Sequence, residues 1–176
     1  MEVEERFEVD AMLVKLAHYL RVLGIDAAYD LGASLATRID RADAEGRVFL
    51  TRNHRIGHQE REPKRIHLVG PEDPVEQLRE VVAKFRIDPQ ARLFTRCIRC
   101  NVELAPLPRD ASLAARVPER VLASYRQFWT CPGCRTVFWK GSHVRNTCAK
   151  LGLPDASEGG GGGTPSSASP SDRSRS

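Results

Sequence analysis

Residues 7–24 read FEVDAMLVKLAHYLRVLG, and the hydrophobic period changes inside that stretch. Phe7-Glu8-Val9-Asp10 alternates apolar and acidic side chains, the two-residue period of a strand. From Leu13 the apolar residues recur at Leu16, Ala17, Leu20 and Leu23, the spacing of a helix with one buried face, and Gly24 follows as a C-cap. A strand that runs directly into a helix is the opening unit of an α/β fold.

The same alternation continues outward. Ile25 to Tyr29 reads as a short strand, and Leu35, Ala36, Ile39 and Ala42 outline a helix closed by Gly46. The runs 47–51 (RVFLT) and 65–70 (RIHLVG) are short and apolar, as expected of strands buried on both faces of a parallel sheet. Asp73-Pro74-Val75-Glu76 carries an N-cap, a first-turn proline and the glutamate of a capping box, ahead of a helix with Leu78, Val81, Val82 and Phe85 on its apolar face. The expectation is an α/β domain with a mostly parallel sheet over residues 1–89. Past Asp88-Pro89 the composition turns to cysteines, arginines and aromatics, giving a second module over residues 90–152 with a helix expected from Pro118 to Phe128. Residues 153–176, with five consecutive glycines and then Ser, Pro and Arg, cannot bury a core and are expected to be disordered.

The chain has 176 residues and 41% hydrophobic content, enough for one domain with an appended module. No apolar run is long enough to span a bilayer, and MEVEERFEVD does not resemble a secretory signal, so the expected location is cytoplasmic. The formal charge of +4 is unevenly distributed. Residues 1–83 hold 12 Lys/Arg against 16 Asp/Glu, whereas residues 84–176 hold 15 against 7. The basic half is where an anionic partner would dock.

Five cysteines in a chain read as cytoplasmic point to metal rather than to disulfides. Cys97-Ile98-Arg99-Cys100 and Cys131-Pro132-Gly133-Cys134 each have the spacing that aims two thiolates from one tight turn at a tetrahedral zinc. Together they make a closed, structural Zn2+ site, with Cys148 left over as a small buried residue. Two separate redox pairs are the competing reading, but a redox C-x-x-C normally stands alone before a helix. Around these turns, Arg96, Arg99, Arg126, Arg135, Lys140 and Arg145 are interleaved with Phe128, Trp129, Phe138 and Trp139. Cations that neutralise phosphates beside faces that stack on bases suit single-stranded RNA. Packing beneath a zinc site is the ordinary alternative for the aromatics. Arg52 and Arg55, flanking His54, also suit phosphate contacts.

Residues 7–24, the segment GRVFLTRN at 46–53, the Gln77-Leu78 helix, both cysteine pairs and FWKGSH at 138–143 together resemble the Mut-seven C-terminal RNase family over about residues 7–152. The resemblance implies a PIN-like nuclease domain followed by a zinc ribbon. It also implies a metal-dependent ribonuclease in which carboxylates at strand ends hold Mg2+ or Mn2+. On local sequence Asp10 reads as a helix N-cap; the resemblance makes it the first catalytic carboxylate. Asn53 stands where relatives carry a second, and an amide oxygen brings no charge. Asp30 is the candidate for a further acidic ligand. Arg52, Arg99, Arg135, Lys140 and His143 are the candidate RNA contacts. The function expected is hydrolysis of single-stranded RNA, and the alternative is a catalytically weak or inactive RNA-binding or adaptor protein on the same fold.

Overall fold

In the computed structural model, which describes residues 5–56 and 62–153, two sheets are built from consecutive parts of the chain. The first is parallel and ordered β2-β1-β3-β4, with β1 at Phe7–Val9, β2 at Ala27–Ala28, β3 at Val48–Thr51 and β4 at Ile66–Leu68. Helices α1 (Val14–Val22), α2 (Leu35–Glu45) and α3 (Pro74–Lys84) connect or follow its strands. The expected α/β class with a parallel sheet is present. The second sheet is antiparallel, β5-β6-β7, formed by Ala105–Leu107, Phe128–Thr130 and Val137–Phe138. Helices α4 (Ala111–Ala114) and α5 (Glu119–Ser124) fill the β5 to β6 connection, and α6 (Ser142–Leu151) follows β7. The tail from residue 154 lies outside the described residues.

Strand alternation sorts the side chains of the parallel sheet. Phe7, Val9, Val48 and Leu50 face the main core, where Leu16, Leu20, Leu78 and Val81 of α1 and α3 meet them. Phe49 faces the other way, onto Ile39 and Ala42 of α2 and onto Ile56. Glu8 and Asp10 share that second face because they alternate with Phe7 and Val9. Caps bound the helices, at Asp73 and Gly46 as the sequence places them and at Ser34 in addition. Ser34 accepts the Thr37 N–H, Asp73 accepts those of Val75 and Glu76, and Gly46 closes α2 in the left-handed region. The glutamate of the expected capping box instead pairs with Arg79.

Two expectations on the elements are corrected. The helix expected to reach Phe128 stops at Ser124, because Tyr125 is extended and Phe128 is taken by the β6 ladder. Nor is the 65–70 strand buried on both faces; β4 is an edge strand and Leu68 is 41% exposed.

The segment after α3 packs back onto the first sheet. Gly24 has φ 81°, and a Cβ there would lie 2.1 Å from the Arg92 carbonyl oxygen. Arg21, buried in α1, donates from Nη1 to the carbonyls of Ile98 (2.8 Å) and Arg99 (3.1 Å), inside the first cysteine turn. Its Nε donates to the carbonyl of Ala27 at 2.8 Å, and the Ala27 N–H donates to Asn101 Oδ1 at 3.1 Å. Asp26 accepts from Arg47 (2.7 and 3.0 Å), Arg6 (3.0 Å) and Asn101 Nδ2 (2.6 Å). At the far end, Leu151 of α6 also joins the main core.

Two predictions test this junction. Gly24→Ala should lower stability by about 2–4 kcal/mol, from left-handed strain plus a clash with fixed backbone, read as a shifted urea midpoint. Burial works against the Asp26 charge, but its bonds to Arg47, Asn101 and Arg6 win and hold the carboxyl at about 2. Because the folded value is depressed, this contribution is complete above the unfolded value of roughly 3.9 and disappears as pH falls from there through about 2. The stability advantage of wild type over Asp26→Asn should therefore hold at pH 5 and shrink steadily toward pH 2 in parallel urea titrations.

Candidate functional site

The four cysteines of the two C-x-x-C turns converge, with all sulfurs within 4.8 Å of one another. Among the described residues they are the one cluster of three or more Cys, His, Asp or Glu side chains close enough to share an ion. The two turns repeat one backbone pattern. In the first, the Cys100 N–H lies 3.5 Å from Cys97 Sγ, the Asn101 N–H donates to the Cys97 carbonyl at 2.9 Å, and the Cys97 N–H donates to Val102. In the second, Cys134 N–H to Cys131 Sγ is 3.5 Å, Arg135 to the Cys131 carbonyl is 2.8 Å, and Cys131 donates to Thr136. Asn101 (φ 60°) and Arg135 (φ 57°) close the turns in the left-handed region. Backbone N–H groups aimed at sulfur stabilise thiolates, so both turns suit a soft divalent cation.

Crowding drives the thiol titrations apart. The Cys100 thiol, hydrogen-bonded to Cys134, is pushed up to about 12. Cys134, 3.2 Å from Thr136 Oγ1, is pulled down to about 6 by that contact. Four thiolates this close repel unless a cation lies between them. The arrangement can hold zinc, and four sulfur ligands leave no position for water, so such a metal would be structural. Cys148 is buried in α6 and outside the cluster.

Asp10 ends β1 and caps the short 3-10 turn Ala11–Leu13. The cap reading and the strand-end reading describe one position. Its Oδ1 accepts from the Ala11 N–H (2.7 Å) and from Arg38 Nη1 (2.9 Å), and its Oδ2 accepts from Thr51 Oγ1 (2.6 Å). Thr51 in turn accepts from the Asn53 N–H at 3.0 Å, so Asn53 reaches Asp10 through Thr51 and the backbone, while its own Oδ1 accepts from the Arg55 N–H. Asp30 makes no contact with Asp10: its Oδ1 accepts from the Gly32 and Ala33 N–H groups, which hold its carboxyl below the usual range, and Oδ2 stands 3.5 Å from Arg41.

Residues 8, 38, 41 and 51 complete this face and were missed in the sequence reading. Glu8, fully buried, takes a two-point contact from Arg41, Nε to Oε2 at 3.0 Å and Nη2 to Oε1 at 2.5 Å. Arg38 and Arg41 are three apart on α2, so both guanidiniums point at β1 and give two parallel carboxylate pairs. Arg38 is 8% exposed, lies 5.9 Å from the Phe49 ring centroid, and keeps a buried Nε without a hydrogen-bond partner. The signal was present in the sequence: a glutamate inside an otherwise apolar strand, and two arginines at helical spacing on the side of α2 that carries Ile39 and Ala42.

Among the described residues no group of three acidic or histidine side chains converges at Asp10 to share a hard cation. Asp10 is one carboxylate, its oxygens are engaged by a guanidinium, a hydroxyl and an N–H, and Asp30 is turned to its own loop. Mg2+ and Mn2+ need several oxygen ligands with net negative charge.

Of the candidate RNA contacts, Arg99 and Arg135 are exposed on the two cysteine turns, and Lys140 Nζ is 5.8 Å from the Trp129 ring centroid. Arg52 makes a 3.4 Å surface pair with Glu72. His143 lies in the first turn of α6, and its side chain is outside the described residues. In the FWKGSH segment, a Cβ on Gly141 would meet Trp139 Nε1 at 2.8 Å, which explains the glycine. No helix of the described residues is long and apolar enough to cross a membrane.

Purified protein should carry one zinc per chain by elemental analysis. Metal worth on the order of 10 kcal/mol of apparent binding free energy should be lost, together with folding of residues 92–151, in Cys100→Ser or Cys134→Ser.

Residues 5–151 match a family profile described as the Mut7-C RNAse domain, in agreement with the resemblance read from the sequence. Comparison with curated proteins and with solved structures finds no match. Because the matched span takes in both sheets and all four converging cysteines, the chain belongs to the Mut7-C RNAse domain family.

Proposed function

We propose that this chain is a single-stranded-RNA-binding protein of ribonuclease type, PIN-like in its first part, with zinc-ribbon RNA binding in its second and weak or absent hydrolysis. The observation that carries the reading is the 2.9 Å pair between Arg38 and Asp10. A guanidinium, rather than a second carboxylate, stands against Asp10, and Asn53 adds no charge. RNA as partner is supported by family membership and by the charge of residues 90–153, eleven Lys/Arg against three Asp/Glu. Arg99 and Arg135 present cations on the zinc turns, where phosphate contacts supply affinity that falls with salt.

A second reading, Mg2+- or Mn2+-dependent hydrolysis centred on Asp10, is favoured by the place of that carboxylate at the C-terminal end of an interior strand, beside the end of β3. The two readings differ in rate and in metal dependence.

Labelled single-stranded RNA incubated with Mn2+, Mg2+ or a divalent-free buffer separates them. Binding should persist without added divalent cation and weaken steeply with salt, and Arg99→Ala or Arg135→Ala should each reduce the salt slope by about 1. Cleavage should be absent or slow, should rise in Asn53→Asp and should vanish in Asp10→Asn. Wild-type turnover of roughly 1 s−1 or faster, dependent on Mg2+ or Mn2+, would instead establish the nuclease reading.

A further inference from the structure

A groove of about 290 Å³ runs between the second sheet, the first cysteine turn and the end of α1. Its walls include Trp129, Phe138, Trp139, Ile98, Val22 and Lys140. Strand alternation explains why it exists. Phe128 in β6 is 3% exposed and fills the small core with Leu113 and Val117. Trp129, the next residue, points to the opposite face, where it pairs across the ladder with Phe138 of β7 and Pro106 of β5. Val22 of α1 and Val144 and Thr147 of α6 wall the far side of the groove, yet Trp129 and Phe138 stay half-buried and Ile98 at the rim is 40% exposed.

We propose that this groove receives one unpaired base of an RNA strand, stacked on the Trp129 and Phe138 faces, with Lys140 pairing the adjoining phosphate. The inference rests on the RNA-binding reading and adds the subsite. Size supports a base: the volume lies at the lower limit of small-molecule pockets, enough for one heterocycle and too small for the several anchors of a docked helix. Charge supports it as well. The groove belongs to the part of the chain with eleven cations and three anions, and Lys140 stands over one of the stacking rings. Aromatic faces beside cations are the common means of holding an unstacked base without reading its identity.

The test uses the full chain without added divalent cation. The protein has two tryptophans, Trp129 and Trp139, and both line the groove, so tryptophan emission reports on it directly. A short end-labelled oligouridylate and an abasic oligomer of the same length are titrated, and anisotropy and emission are recorded together. Both oligomers should raise the anisotropy with similar salt dependence. The base-bearing strand alone should quench emission and should bind about tenfold more tightly. Trp129→Leu, checked for retained zinc, should abolish that difference. So should Ile98→Phe, which fills the groove from an exposed position without changing charge. Equal affinities with unchanged emission would overturn the groove assignment and leave RNA binding intact; no anisotropy change with either oligomer would overturn both. An apolar dye that occupies the groove equally well with RNA bound would also overturn it, and would point to an apolar peptide instead.

Discussion

The outer edge of β2 sets the constraint on which the two halves of the molecule depend. In the parallel ladder the Phe7 N–H donates to the carbonyl of Asp26, which leaves the N–H and C=O of Ala27 pointing away from the sheet. A fifth strand on that side would satisfy them. Here two side chains do so instead: Asn101 accepts from the N–H, and Arg21 donates to the carbonyl. Arg21 comes from the helix beneath and Asn101 from the residue after Cys100, so one buried backbone requirement ties the main core to the first cysteine turn. Asp26 adds a charged hub that joins Asn101 to Arg47 and Arg6.

The acidic face owes its character to α2. Burying Glu8 and Asp10 as lone charges would be prohibitive, and each instead meets an arginine one helical turn from the other's partner. Such pairs contribute little net stability, because desolvation offsets most of the attraction. What they contribute is position: α2 can slide or rotate on the sheet only by leaving two carboxylates uncompensated. The same pairing neutralises the charge that would otherwise draw a hard cation. Structural order and metal affinity therefore pull in opposite directions at Asp10.

Much of the fold was legible because its signals are local. Residues 7–24 carry both periods, the caps at Asp73 and Gly46 form where the chain spelling places them, and each C-x-x-C needs only its own turn to present two sulfurs. What the sequence could not show was pairing across distance. Nothing near Arg38 says that it will meet a carboxylate 28 positions away. Asn101 follows a cysteine like any turn residue, yet its amide is consumed by a strand 74 positions earlier. The segment Glu119–Ser124 has helical propensity that extends toward Phe128, and only the partners Leu107 and Phe138 on either side of β6 recruit its continuation into a sheet.

The cover over β2 is the first cysteine turn, so thiol chemistry there bears on whether the sheet edge stays covered. Oxidation of Cys97 or Cys100, or loss of a metal held between the two turns, would loosen the loop that carries Asn101 and the two carbonyls held by Arg21. A short strand would then present unpaired N–H and C=O groups to solvent, and bare sheet edges recruit strands from other molecules. Loss of that cover would accordingly favour self-association through the sheet edge, and would disturb the same turn that presents Ile98 and Arg99.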